Sequence, residues 1–124
     1  MMELTINEAM AISQNAFLLS SCPVVPFELA VKINQVKKDA DVLVTTFKEE
    51  IELIRERGGA DEIAQCDALI FKKYEVVIRT LDLSEFDGLE INGEKDVKVN
   101  DAIIKRPYRD AYFFLLDKII TAKI

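Results

Sequence analysis

Residues 29–54 read LAVKINQVKKDADVLVTTFKEEIELI. Within this stretch Leu29, Ile33, Val36, Ala40, Leu43, Phe47, Ile51 and Ile54 recur at spacings of 4, 3, 4, 3, 4, 4 and 3. That rhythm returns to one side of an α-helix and draws a narrow apolar seam along it. Lys37, Lys38, Asp39, Asp41, Lys48, Glu49, Glu50, Glu52 and Arg55 fill the other faces with charge. Such a helix is made to pack against other helices, inside one chain or between copies. Pro26 suits its first turn, where the missing N–H is not needed, and Gly58-Gly59 suits its end. The predicted helix, from about Pro26 to Arg57, would be roughly 48 Å long. A helix of that length either breaks or projects from a small domain. Val42, Val44 and Leu53 lie off the seam and widen the apolar face.

Upstream, Thr5-Ile6-Asn7-Glu8 is a capping box, in which hydroxyl and carboxylate each reach the other residue's free N–H. It predicts a helix from Ile6 to about Ser20, with Ile6, Met10, Ser13 and Phe17 on one row. Pro23 and Pro26 then exclude helix for the residues before them. Downstream, a third helix is predicted over about 61–72, with Ile63, Cys66, Leu69 and Ile70 inward. Tyr74–Leu81 is β-branched and reads as a strand. Leu89–Ile91 and Val97–Val99 flank Asn92-Gly93. A two-residue turn there would oppose Ile91 to Glu94. A five-residue loop opposes Ile91 to Val97 and Leu89 to Val99, which side-chain matching favours. Asn100 or Asp101 is placed to cap a last helix whose continuous part runs from about Pro107 to Ala122. Its Tyr108, Tyr112, Leu115, Phe113, Phe114 and Ile119 leave it apolar on most sides, as the central helix of the core or as a half-buried helix with one face held for a partner. The fold class is therefore α+β and mainly helical: a helical hairpin, a small antiparallel sheet of Tyr74–Leu81, Leu89–Ile91 and Val97–Val99, and a C-terminal helix across both.

The chain has 124 residues, half of them apolar and 31% charged, as expected of one folded domain. Its 22 acidic and 16 basic residues leave a net charge of −6, which disfavours phosphate-mediated nucleic-acid binding and favours a partner with a basic surface. There is no histidine, so the commonest general base and metal ligand are missing. Cys22 and Cys66 lack the companions of a zinc site and read as two reduced thiols of a cytosolic protein. The N-terminus lacks the pattern of a secretory signal, and no run of apolar residues is long enough to span a membrane.

Chemistry-bearing motifs are few. Ser20, Ser21 and Cys22 have no nucleophile elbow and no histidine to activate them, and Gly58-Gly59 lacks the Lys-Ser/Thr of a phosphate loop. Residues 82–101 carry seven acidic side chains against Lys95 and Lys98, a local charge of −5. They read as a solvated loop and hairpin, as a docking surface for a basic groove, or as a calcium loop. With Gly88 at position 6 of such a loop, Glu85, Asp87 and Glu94 take positions 3, 5 and 12, but position 1 is Leu83, which offers no oxygen. A carboxylate-based, metal-assisted nuclease would need acids converging from rigid elements rather than a loop. Lys105-Arg106-Pro107-Tyr108-Arg109 is the main basic cluster, with Asp101 and Asp110 close enough in sequence to pair with it. No cofactor-binding motif is present.

Pro26-Phe27-Glu28-Leu29-Ala30-Val31-Lys32-Ile33, Phe47-Lys48-Glu49-Glu50 and Tyr74-Glu75-Val76-Val77-Ile78 together resemble a family of small proteins of tailed bacteriophages. The resemblance covers about the first two-thirds of the chain. It implies a phage or prophage protein acting in the bacterial host cytoplasm or in the virion. It carries over no functional residue. The expected function is non-enzymatic protein binding, in virion or tail assembly or in inhibiting a host defence protein. The expected contact residues are Glu85, Asp87, Glu90, Glu94 and Asp96, with Phe86 as apolar anchor. The alternative is a structural homo-oligomer joined through Leu29, Ile33, Val36, Leu43, Phe47, Ile51 and Ile54.

Overall fold

In a computed structural model, which describes residues 2–116 and 118–122, the capping box forms as its sequence requires. Glu8 N–H donates to the Thr5 hydroxyl at 3.3 Å, and Thr5 N–H donates to the Glu8 carboxylate at 3.1 Å. Helix α1 follows over Ile6–Ser20. The proline-bearing connection leads into α2, Phe27–Arg57, one unbroken helix of 31 residues. Gly58 ends it at φ 63°, a left-handed conformation that glycine adopts without steric cost.

α1 lies against the first half of α2, and this pair makes the largest contact in the molecule. Leu29, Ile33, Val36 and Ala40 are buried there, in one cluster with Ile12, Ala16 and Leu19 of α1. The first half of the seam is therefore consumed inside the chain, so Leu29, Ile33 and Val36 are core residues and not a surface offered to a second copy. Leu43, Phe47 and Ile51 are half-buried, and Ile54 is buried beside the turn into α3. Val42 and Leu53 are exposed, so the apolar face widens only at Val44.

Helix α3 spans Glu62–Phe71 and buries no residue completely. Its Ile63, expected inward, is exposed, while Cys66, Leu69 and Ile70 are half-buried. Ten residues in light contact with α1 and α2 give α3 too little surface to enclose a whole face.

The predicted strands exist in part but pair differently. Tyr74–Val76 (β2) pairs antiparallel with Met2–Leu4 (β1). Leu81-Asp82 (β3) pairs parallel with Ile120-Thr121 (β6). Between β2 and β3 the chain leaves the strand conformation where Arg79 is held by Asp39 of α2. Leu89–Ile91 is irregular, with Ile91 buried in the core. Glu94–Val99 (β4) pairs antiparallel with Ala102–Pro107 (β5), so Val97 faces Ile104 rather than Ile91. Asn100 turns this hairpin at φ 55°, a region asparagine tolerates. The three pairs are separate two-stranded sheets.

Helix α4 is shorter than expected, Tyr108–Leu115. Its continuous part begins at Pro107 as expected, but Asn100 and Asp101, expected to cap it, instead turn the β4–β5 hairpin, because Ala102–Pro107 pairs as a strand. The expected run to Ala122 crosses position 117, which lies outside the described residues. Beyond Leu115 the β-branched Ile119, Ile120 and Thr121 turn back to the core. Leu81 N–H donates to Ile119 C=O at 2.7 Å, and both isoleucines are buried. Among the described residues no helix is long and apolar enough to cross a membrane.

Two aspartates of the second helix tie it to the rest. The Ser13 hydroxyl, itself buried, donates to Asp41, which also pairs with Lys37 one turn earlier. Arg79 grips Asp39 with Nε–Oδ2 2.7 Å and Nη2–Oδ1 3.0 Å, and its backbone N–H adds a third bond at 3.1 Å. These bonds from Arg79 hold the Asp39 carboxyl below its ordinary range. Burial pushes Asp41 upward, but the bonds from Lys37 and Ser13 outweigh it and leave a net lowering. Glu8 is lowered first by the Thr5 N–H. All three carboxylates thus bind a proton more weakly folded than unfolded. Their contribution to stability is complete above the unfolded range near pH 4, and is lost as pH falls through it to their lowered values. The urea midpoint should therefore drop on acidification below about pH 4. Asp39→Asn should flatten that drop and cost about 1–2 kcal/mol at neutral pH, since Asp39 is mostly buried and accepts three bonds. A midpoint insensitive to both changes would refute the assignment.

Candidate protein-binding surface

Alternation along the β4–β5 hairpin divides its side chains between two faces. One carries Lys95, Val97, Val99, Ala102, Ile104 and Arg106. The other carries Glu94, Asp96, Lys98, Ile103, Lys105 and Pro107. The first face leans over the outer side of α1. Lys95 Nζ donates to Ser21 Oγ at 3.0 Å and sits 4.5 Å from the centre of the Phe17 ring, pinning the hairpin to the end of α1. A cleft of about 270 Å³ opens between Gln14, Asn15, Phe17 and Leu18 of α1 and Val97, Val99 and Arg106 of the hairpin.

The second face borders a groove of about 540 Å³ formed by Asn92, Gly93, Glu94, Asp96, Lys105, Pro107 and Arg109. Gly93 sits at φ 91°, and its carbonyl accepts from Tyr108 N–H at 3.1 Å. This bond joins the start of the hairpin to the start of α4. Asn92 and Arg109 also line the neighbouring cleft of about 300 Å³, with Leu89, Glu90, Ile91, Tyr112 and Phe113. The Arg109 guanidinium lies 5.2 Å from the centre of the Phe113 ring.

The six residues expected to contact a partner have separate fates. Glu94 and Asp96 share a strand and a face, and Lys105 stands directly opposite Asp96. Asp87 and Glu90 are exposed. Glu85 pairs with Lys32 of α2, which raises the Lys32 pKa through that hydrogen bond. Phe86 is only 5% exposed and packs on Tyr112, with ring centres 5.3 Å apart. It is a core residue and not a surface anchor, because the 3-10 turn Leu83–Phe86 rolls it inward. The acidic segment is also less one-sided in space than in sequence. The pairing of β4 with β5 sets Lys105 and Arg106 beside it, and α4 adds Arg109.

What the sequence reading missed is apolar. Phe17, Val99, Ile103, Ile104, Phe113 and Phe114 are exposed around the hairpin and α4. The available signal was Ala102-Ile103-Ile104 directly after Asn100-Asp101, a β-branched run behind a turn residue. Among the described residues no group of three or more acids or cysteines is placed to hold a metal ion. Cys22 is buried and Cys66 half-buried, both as free thiols.

Comparison with protein-family models, with curated proteins and with solved structures finds no match to this chain. The likeness to phage proteins therefore rests on the residues quoted for it alone.

Proposed function

We propose that this protein is a non-enzymatic module that works by docking to another protein through the β4–β5 hairpin and the end of α1. The observation that carries this reading is the apolar surface there: Phe17 is 48% exposed, Val99 40% and Ile104 41%, with Ile103, 69% exposed, on the opposite face of the hairpin. Single exposed apolar residues are ordinary, but several gathered where the hairpin meets α1 favour burial against a partner. The exposed carboxylates Asp87, Glu90, Glu94 and Asp96, the last two on the opposite face of the hairpin, favour a partner that also carries basic groups. A chain without histidine and without an activated nucleophile supports binding rather than catalysis. The resemblance to phage proteins chooses where to look: the bacterial host cytoplasm or the virion, with a host defence protein or a structural protein as partner.

The test is capture from a bacterial lysate followed by titration of the purified partner. The double variant Phe17→Ser/Ile104→Ser should weaken binding roughly thirtyfold, as loss of about 2 kcal/mol of central apolar contact does. Val42→Ser, an exposed apolar residue on α2 away from the hairpin, should leave it unchanged. A partner held equally by both variants would place the docking surface elsewhere.

A further inference from the structure

Among the described residues, the two outer edges of the hairpin have no strand partner. Isolated two-stranded hairpins are marginal in water, and three or more strands stabilise one another. Here both strands run for six residues with most side chains exposed. The Tyr108-to-Gly93 hydrogen bond sets the phase of the ladder. The Gly93 carbonyl bonds toward the end of β5, and so, at every second position, do Lys95, Val97 and Val99. The N–H and C=O groups of Glu94, Asp96 and Lys98 therefore point outward along the free edge of β4. On β5 the outward positions are Ile103, Lys105 and Pro107. Pro107 has no N–H and passes straight into α4, which blunts that edge.

We propose that a second copy of this chain docks antiparallel along the β4 edge, about Val97, to give a four-stranded sheet across a two-fold axis. The inference rests on the hairpin being the docking element and names the occupant of its edge. Charge complementarity selects both the occupant and the register. Pairing about Val97 sets Asp96 against the partner's Lys98, and Lys98 against the partner's Asp96, with no like charges opposed. Pairing about Lys95 opposes Glu94 to the partner's Asp96. Pairing about Asp96 or about Lys98 opposes that residue to its own copy. Only the Val97 register turns every outward charge of the central strand into an attraction or leaves it neutral. Among the described residues neither Asp96 nor Lys98 joins an ion pair within its own chain. Both are therefore available to a partner. The same register places Val97 beside the partner's Val97, on the face that already carries Val99 and Ile104, and so joins the two apolar surfaces.

Sedimentation velocity over a range of concentrations tests this. The natural chain should pass from monomer to dimer. Lys98→Glu alone, and Asp96→Lys alone, each replace two attractions by two repulsions, and each should raise the dimer dissociation constant roughly tenfold or more. An equimolar mixture of the two variants should dimerise about as tightly as the natural chain, because each then supplies the charge the other needs. Unchanged far-UV circular dichroism confirms that the variants are folded. A natural chain that stays monomeric throughout, single variants that dimerise undiminished, or a mixture no tighter than its components would each overturn the proposal. Phe17→Ser/Ile104→Ser leaves the β4 edge charges intact. Loss of partner capture in that variant, with a monomeric natural chain, would retain the docking surface and reject self-pairing alone.

Discussion

Ile33→Ala is expected to destabilise the folded chain by about 3 kcal/mol, read as a fall in the unfolding free energy from urea titration. Ile33 is fully buried, in the cluster formed by α1 and the first half of α2. Removing its outer carbons forfeits their transfer free energy and leaves a cavity that two tightly packed helices close only in part. The companion measurement is sedimentation of the folded fraction, which should be unchanged from the natural chain. A seam working between copies would behave in the opposite way. There the variant would dissociate into stable monomers, with little loss in the unfolding free energy of each. That result would move Leu29, Val36 and Ala40 from the core of one chain to an interface.

Phe86→Ala is expected to cost about 3–4 kcal/mol of stability. The residue is buried in the main cluster and its ring meets Tyr112 at an interplanar angle of 49°. Truncation removes a large apolar area together with an aromatic contact. It also loosens the 3-10 turn against α4. A side chain that served only as a surface anchor would change stability by less than about 0.5 kcal/mol while weakening binding. Thermal or urea unfolding of the variant therefore separates the two roles. A stable variant with impaired binding would return Phe86 to the surface.

These two residues show where sequence reading reached and where it stopped. The capping box at Thr5 and Glu8, the ends of α1, and the passage of α2 from Pro26 to Gly58 follow from local chemistry, and the structure reproduces them nearly residue for residue. Helices of this kind report their bonding within a few residues, so periodicity, caps, proline and glycine suffice. Strands do not, because the partner of a strand lies elsewhere in the chain. Apolar matching set Val97 against Ile91 across a five-residue loop, whereas the chain pairs it with Ile104 across Asn100-Asp101, a segment that local pattern assigned to a helix cap. Tyr74 paired with an N-terminal strand that no local pattern announced.

The candidate surface divides in the same way. Its acidic character was visible in composition. Its basic and apolar members were not, because Lys105, Ile104 and Phe17 join it only when β5 returns beside β4 and the hairpin settles on α1. The sequence by itself determined the first three helices and their limits, the start of α4 and the mainly helical α+β class, since those rest on contacts between residues three and four apart. Only the tertiary structure decided which strands pair, which half of the α2 seam is buried, and that Phe86 turns inward while Ile103 stays out. Those outcomes depend on how distant segments compete for the same apolar surface, and that competition is resolved only when the whole chain packs.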